Sequence, residues 1–166
     1  MGRDKASLPY RGVTLAGAVA QAVRDATGSV TLVGTSESGG IPDLFPGEGP
    51  LGGIVTALRH STAEWNLIVA CDMPEISALL LHRLLDAAEA SGCDVLLPVR
   101  PDGLPEPLCA VYRNTAAAEI ERRFAEGVRK VTAALEALAV YRLEVAEVMQ
   151  FQNVNTPEDW QPYAAG

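Results

Sequence analysis

The sequence is short of cysteine, histidine and aromatic residues, and these shortages exclude several classes of protein. Its 166 residues include three cysteines and two histidines, and only 5% are aromatic. An odd number of cysteines, none at metal-ligand spacing, does not make a disulfide scaffold or a zinc cluster. The sequence shows no Ser-His-Asp or Cys-His arrangement either, so a covalent nucleophile is not expected.

The cysteines indicate a reducing compartment. Cys71, Cys93 and Cys109 all lie in or beside apolar runs. We expect three buried, reduced thiols, which are typical of a cytoplasmic protein. No apolar signal segment follows the charged residues at the start of the sequence, and no apolar run is long enough to span a bilayer. We therefore expect a cytoplasmic location and no membrane partner.

Positive charge is also scarce. Thirteen Lys and Arg residues stand against 21 Asp and Glu residues, which gives a net charge of -8 and an isoelectric point near 4.7. Such a field repels phosphate backbones, so nucleic acid is not an expected partner. An anionic substrate would need local help from a metal ion or from a helix N-terminus.

The residues that are present indicate an α/β fold. Hydrophobic residues make up 48% of the chain, which suffices for a single domain over residues 1–166. Strand-like runs alternate with helical periodicity, an order typical of a mainly parallel sheet. The predicted strands lie at 29–34, 67–70, 94–99, 108–112 and 140–145. The predicted helices run from about 14 to 27, 50 to 60, 77 to 91, 116 to 126 and 130 to 138, with a last one opening at 156.

The stretch 67–74 organises the chain, because a continuous apolar run leads directly into a carboxylate. Such a run is typical of a strand buried on both faces, and Pro74 prevents it from continuing as a central strand. Asp72 is therefore predicted at the carboxyl end of the strand, the edge where open α/β sheets bind ligands. Two roles stay open for Asp72 from this segment alone, namely a divalent-metal ligand or a cap for the following loop or helix.

Three further groups of residues have both a functional and a structural interpretation. The glycines of 49–53 either let backbone amides approach a nucleotide or make a tight turn with close helix packing. Arg3 and Lys5 either neutralise phosphate oxygens or belong to a solvated segment. Asn153 and Asn155 share one side of an extended segment, where they either bind a heteroaromatic ring or shape the turn before Thr156.

Five stretches in this order resemble the molybdenum cofactor guanylyltransferases and their MobA-like nucleotidyltransferase relatives. Each motif is modest alone, but the five together cover essentially the whole chain. They are Met-Gly-Arg-Asp-Lys at 1–5, Pro-Gly-Glu-Gly-Pro-Leu-Gly-Gly-Ile at 46–54, Cys-Asp-Met-Pro at 71–74, Pro-Leu-Cys-Ala-Val-Tyr at 107–112 and Asn-Val-Asn-Thr-Pro-Glu-Asp at 153–159.

The resemblance implies a Rossmann-like three-layer nucleotidyltransferase fold and a set of residue roles. The implied reaction transfers GMP from MgGTP to molybdenum-molybdopterin and releases pyrophosphate, with transient contact to molybdoenzymes or delivery proteins. Lys5 and Asp72 are the implied catalytic residues, and Asp72 the implied Mg²⁺ ligand. Asn153 and Asn155 are implied on the pterin side. The implied nucleotide-binding residues are Lys5, Asp43, Gly49, Pro50, Leu51, Gly52, Gly53 and Asp72.

The sequence departs from the family pattern in two places. The family signature begins with a strand and a Leu-Ala-Gly-Gly loop, whereas here the sequence starts at the Met of the motif. We therefore expect the first strand to be missing and ladder groups on its neighbour to be exposed. Glu106 stands where Gln or His is expected. Two other functions stay open: a cytidylyl- or other nucleotidyltransferase on the same scaffold, and a binding or assembly protein with impaired catalysis.

Overall fold

A four-stranded sheet lies between two layers of helices in the computed structural model, which describes residues 7–34, 40–154 and 159. Short 3-10 helices occur at Asn114–Ala116 and Val148–Phe151. The strands and α-helices in chain order are β1 (Pro9–Tyr10), β2 (Val13–Thr14), α1 (Leu15–Thr27), α2 (Pro50–His60), β3 (Trp65–Val69), α3 (Ala78–Ser91), β4 (Val95–Val99), β5 (Cys109–Arg113), α4 (Ala117–Ala125), α5 (Val131–Ala134) and β6 (Val140–Glu144).

The alternation of side chains along the strands creates two hydrophobic clusters, one on each face of the sheet. On β4, Leu96 packs in the cluster with α1 and α3, whereas Val95 and Leu97 pack in the cluster with α2, α4 and α5. Successive strand residues point to opposite faces, so a strand covered on both sides must be apolar at every position. The continuous apolar runs of the sequence correspond to this three-layer arrangement.

The α/β class is confirmed, but the sheet is mixed rather than mainly parallel. Its order is β3-β5-β4-β6; β5 runs antiparallel to both neighbours, and β4 pairs with β6 in parallel. Only residues 100–108 connect β4 to β5. A parallel connection needs a crossover of about a dozen residues or more, so this short link makes the pair antiparallel.

Local signals placed the long helices correctly. The Thr14 hydroxyl accepts a hydrogen bond from the Gly17 amide at 3.0 Å, and α1 ends at Gly28 with a φ of 78°. Ser77 caps α3 in the same way through the Leu80 amide at 3.2 Å. These residues satisfy backbone groups that the first and last turns of a helix leave without intrahelical partners.

Several predictions about shorter segments were wrong. The predicted strand at 29–34 makes only an isolated bridge between Val33 and Ile41, and the predicted helix at 130–138 is regular only over α5. Cys71 is exposed, because it lies in the turn after β3, whereas Cys93 and Cys109 are buried as expected. Burial raises the pKa of the Cys109 thiol to about 12, which keeps it in the inert thiol form.

An unpredicted hairpin precedes α1. Strands β1 and β2 pair antiparallel around the two-residue loop Arg11-Gly12, which has positive φ angles of 44° and 84°. Two left-handed residues are what a tight hairpin turn requires, and glycine adopts that conformation without steric cost. Within the described part of the chain, no helix has the length and apolar character needed to cross a membrane.

Two adjacent glycines of α2 offer a matched test of packing. A Cβ built on Gly52 would lie 3.1 Å from the Phe45 Cβ and 3.3 Å from its carbonyl oxygen, whereas one on Gly53 meets nothing within 4 Å. We expect Gly52→Ala to lower the free energy of unfolding by about 1–3 kcal/mol through overpacking. Gly53→Ala should instead raise it by up to about 1 kcal/mol, because alanine favours the helix. Urea unfolding followed by circular dichroism measures both, and equal effects would contradict this assignment.

Candidate functional site

Asp72 lies at the end of β3 in the wall of the cavity described here. The carboxylate is half-buried, and the cavity has a volume of about 850 Å³. Pro50 and Gly53 from the first turn of α2 line the same cavity. The structure therefore brings together the metal candidate and two members of the glycine segment, which lie about twenty residues apart in sequence.

Hydrogen bonds from distant segments hold the turn that carries Asp72. The Asp72 carbonyl accepts from the Val154 amide at 2.8 Å, and the Met73 carbonyl accepts from the Ile76 amide at 3.2 Å. At the far end of the turn, the Glu75 carboxylate accepts from the Tyr10 hydroxyl at 2.9 Å. The turn is thus fixed by the N-terminal hairpin on one side and by the C-terminal segment on the other.

The C-terminal segment approaches the site as the motif order suggested. Asn153 is exposed and directly precedes Val154, whose amide bonds to Asp72. Gln150 strengthens this attachment, because its side-chain oxygen accepts from the Ser77 hydroxyl at 2.7 Å and from the Ser77 amide at 2.9 Å. Asn153 is therefore anchored close in space to the turn of the metal candidate. Asn155 and Lys5 lie outside the described residues.

The glycine segment divides into residues that face the cavity and residues that pack. Gly49 precedes α2 with a φ of 80° and gives the helix no side-chain cap. Leu51 is fully buried, so its side chain belongs to the core. Gly52 sits against Phe45, whereas Gly53 has open space on the cavity side. Both interpretations of the segment thus apply, each to different residues.

Asp43 does not line this cavity, because it is engaged in the loop before α2. Its Oδ1 accepts from the Phe45 amide and lies within hydrogen-bond distance of the Thr56 hydroxyl, both at 2.9 Å. The same hydroxyl accepts from the Leu44 amide at 3.1 Å, and Thr56 is completely buried. This network ties the loop to the helix, a structural role that accounts for the carboxylate.

A second acidic group lies within electrostatic reach of Asp72. Glu106 is largely buried and forms an ion pair with Arg100, whose Nε lies 3.2 Å from its Oε1. Burial raises the pKa of Glu106, Arg100 opposes that rise, and the charges of Asp102 and Asp72 add to it. The Asp72 edge of the sheet is therefore a region of negative charge from which water is partly excluded.

Sequence reasoning missed the groups that position the site. Tyr10, Glu75 and Gln150 act across separations of about 65 to 73 residues in the chain. Each is an ordinary polar residue with no local motif around it. Only the contacts between elements reveal their roles.

The Thr56 network predicts the result of removing one hydroxyl. Thr56→Val keeps the shape of the side chain but leaves the Asp43 carboxylate and the Leu44 amide without this partner. We expect a loss of about 1–3 kcal/mol in the free energy of unfolding. Thr56→Ser keeps the hydroxyl and should lose only about 1 kcal/mol for the missing methyl group. Chemical unfolding of the three proteins decides, and a larger loss for the serine variant would overturn the network.

Glu106 predicts a pH dependence with a definite sign. Its folded-state pKa lies above the ordinary value of 4.5, so its ionisation disfavours the folded state. Stability from this group is present below pH 4.5 and is lost as the pH rises through the folded-state pKa. Glu106→Gln should therefore become progressively more stable than the wild type as the pH rises.

Glu119 supplies the matched control with the opposite sign. A side-chain hydrogen bond from Arg122 lowers the pKa of Glu119. Glu119→Gln should therefore lose stability relative to the wild type as the pH rises, since the ionised form favours folding. Unfolding curves from about pH 4 to about pH 8 measure both differences. Parallel trends for the two variants would contradict the assignment.

Comparison with known proteins identifies the family. The family model described as MobA-like NTP transferase domain matches residues 1–140. A relative from Opitutus terrae named "Probable molybdenum cofactor guanylyltransferase" is 35% identical, with 96% of this chain and 86% of the relative covered. A Methanothermobacter thermautotrophicus protein of the same name is 33% identical over 72% of this chain. That match spans 63% of the relative's length.

A solved structure agrees with the sequence comparisons. The Archaeoglobus fulgidus protein titled molybdopterin-guanine dinucleotide biosynthesis protein A is 31% identical and has a TM-score of 0.80. The superposition covers 98% of this chain and 89% of the other. Sequence and fold therefore lead to the same conclusion: the chain belongs to the MobA-like NTP transferase family.

Proposed function

We propose that the protein is a nucleotidyltransferase of molybdenum cofactor biosynthesis that transfers GMP from MgGTP to molybdenum-molybdopterin. The observation that carries the proposal is the meeting of Asp72 with Pro50 and Gly53 at one cavity, with Asn153 anchored beside the Asp72 turn. These residues come from three of the motifs that define the resemblance. The guanylyltransferase names of the relatives supply the nucleotide and the acceptor.

The donor set fits a magnesium ion that arrives with a nucleotide. Among the described residues, no group of three His, Cys, Asp or Glu side chains could hold a metal by itself. Mg²⁺ is typically bound by one or two carboxylates together with substrate phosphates and water. Asp72, at the carboxyl end of β3, offers one such carboxylate. When bound, the ion would neutralise charge on the phosphoryl oxygens.

The residues of the chain would contribute mainly by positioning. In the proposed reaction, an oxygen of the molybdopterin phosphate attacks the α-phosphorus of GTP while the bond to the β-phosphate breaks. Pyrophosphate leaves with the electron pair of that bond. The uncapped first turn of α2 directs backbone amides toward an anion, and Lys5 would add a positive charge there. No side chain has to form a covalent intermediate.

The acidic edge around Asp72 also has a role in this proposal. Glu106 and Asp72 repel each other electrostatically, and a cation between them and the phosphates relieves that repulsion. Asn153, exposed beside the Asp72 turn, and Asn155 would face the pterin with amide donors and acceptors. Transient contact with molybdoenzymes or delivery proteins would then pass the product on.

Transfer of labelled nucleotide tests the proposal directly. The protein is incubated with molybdenum-molybdopterin, Mg²⁺ and labelled GTP, CTP or UTP in separate reactions, and release of pyrophosphate is followed. We expect turnover with GTP and little with the pyrimidine nucleotides. Preference for CTP would assign a cytidylyltransferase. Pterin binding without any turnover would assign a binding or assembly protein.

Asp72 provides the site-directed test. Asp72→Asn removes the charge but keeps the shape, so turnover should fall by about 100-fold or more as metal and phosphate charge lose their partner. Asp86→Asn, on the exposed side of α3, is the matched control and should retain wild-type turnover. Equal activity of the two variants would remove Asp72 from the reaction.

A further inference from the structure

Strand β3 is exposed in a way that its composition does not explain. All five of its residues, Trp65–Val69, are half-buried, whereas β4 and β5 are buried at four positions out of five. A strand with one solvated face alternates between buried and exposed residues. Uniform half-burial instead indicates that β3 is open along its edge, from which both faces can be reached.

The hydrogen-bond register identifies the groups that face this edge. The Ala70 amide donates to the Leu108 carbonyl and the Asn114 amide donates to the Glu64 carbonyl, so even-numbered residues bond to β5. In an antiparallel ladder the bonded residues alternate with residues whose N–H and C=O groups point the other way. The main-chain groups of the odd-numbered residues Trp65, Leu67 and Val69 therefore point to the open edge.

The open edge forms one wall of the cavity, and we call the part beside β3 the β3 groove. It runs from His60 at the amino end of the strand to Asp72 at the carboxyl end, with α1 and α2 contributing the other walls. Its length matches the strand, about 17 Å for five residues. Apart from the exposed Cys71, the only titratable residues in the lining are His60 and Asp72, one at each end.

We propose that the β3 groove binds one extended peptide strand of uncharged, mainly β-branched residues, which pairs with β3. Main-chain groups at strand spacing on the edge call for alternating donors and acceptors, the pattern that an extended peptide presents. The apolar walls from Ala16, Ala20 and Ile54 exclude charged side chains along the middle of the groove. Such a strand would be covered on both faces, like β4 and β5.

Two other occupants fit the groove less well. A small apolar molecule would leave the main-chain groups of Trp65, Leu67 and Val69 without partners, at a cost in free energy. A second copy of the chain would bring its own α1 and α2 walls against these walls, because its β3 edge is flanked in the same way. The proposal does not depend on nucleotide transfer, so its test uses no nucleotide.

The test uses a blocked peptide, Lys-Val-Val-Ala-Ile-Val-Lys, and a matched peptide N-methylated at its five central residues. The protein carries Trp160→Phe, so that Trp65, in the groove lining, is its one fluorescent tryptophan. We expect saturable binding of the first peptide and binding weaker by about tenfold or more for the second, which cannot donate ladder hydrogen bonds. Both peptides have the same charge, so general attraction to the acidic protein cancels.

Hydrogen exchange supplies the discriminating readout. Bound peptide should slow exchange of the Trp65, Leu67 and Val69 amides by about tenfold or more, with little change at Asn66 and Ile68, which already bond to β5. Ala20→Glu, which puts a charge in the groove, should weaken binding by about tenfold or more. Ala118→Glu, on the exposed side of α4, should bind like the parent.

Four results would overturn the proposal. They are absence of binding, equal affinity for the two peptides, equal protection of odd and even residues, and protein dimerisation in gel filtration that accounts for the protection. The peptide pair requires no folded groove variant, so the test stands even where Ala20→Glu does not fold. A protein that binds the peptide but transfers no nucleotide would support the groove while contradicting the proposed function.

Discussion

The antiparallel ladder between β3 and β5 is the interaction on which both the candidate site and the β3 groove depend. It extends over all five residues of β3 and continues through the Ala70–Leu108 hydrogen bond. Because the ladder sets the end of the strand, it also sets where Asp72 emerges. Because it uses the even-numbered residues, it leaves the odd-numbered ones facing the cavity. One register thus determines two functional surfaces.

The site is built by contacts between segments that are far apart in the chain. The turn after β3 is held by the hairpin through Tyr10 and by the C-terminal segment through Val154. Backbone and side-chain hydrogen bonds of this kind restrict a turn without covering its carboxylate. The arrangement suits a carboxylate that must hold its position while substrates enter and leave the cavity.

Much of the helical structure and the motif positions followed from the sequence, because their signals are local. Thr14, Ser77 and Pro50 begin helices, and Gly28 and Gly92 end them, through contacts within one turn. The apolar runs of β4 and β5 follow from burial on both faces. Strand pairing at 29–34 failed as a prediction, since a β-branched run becomes a strand only where a neighbour completes its ladder.

The sequence by itself determined the α/β class, the main helix boundaries and the placement of Asp72 after a buried strand. Periodicity, caps and burial act over a few residues and are therefore written locally. Only the tertiary structure decided the direction of β5, the packing role of Gly52 and the engagement of Asp43 by Thr56. Each of these depends on which distant group arrives as a neighbour, and no local pattern encodes that arrival.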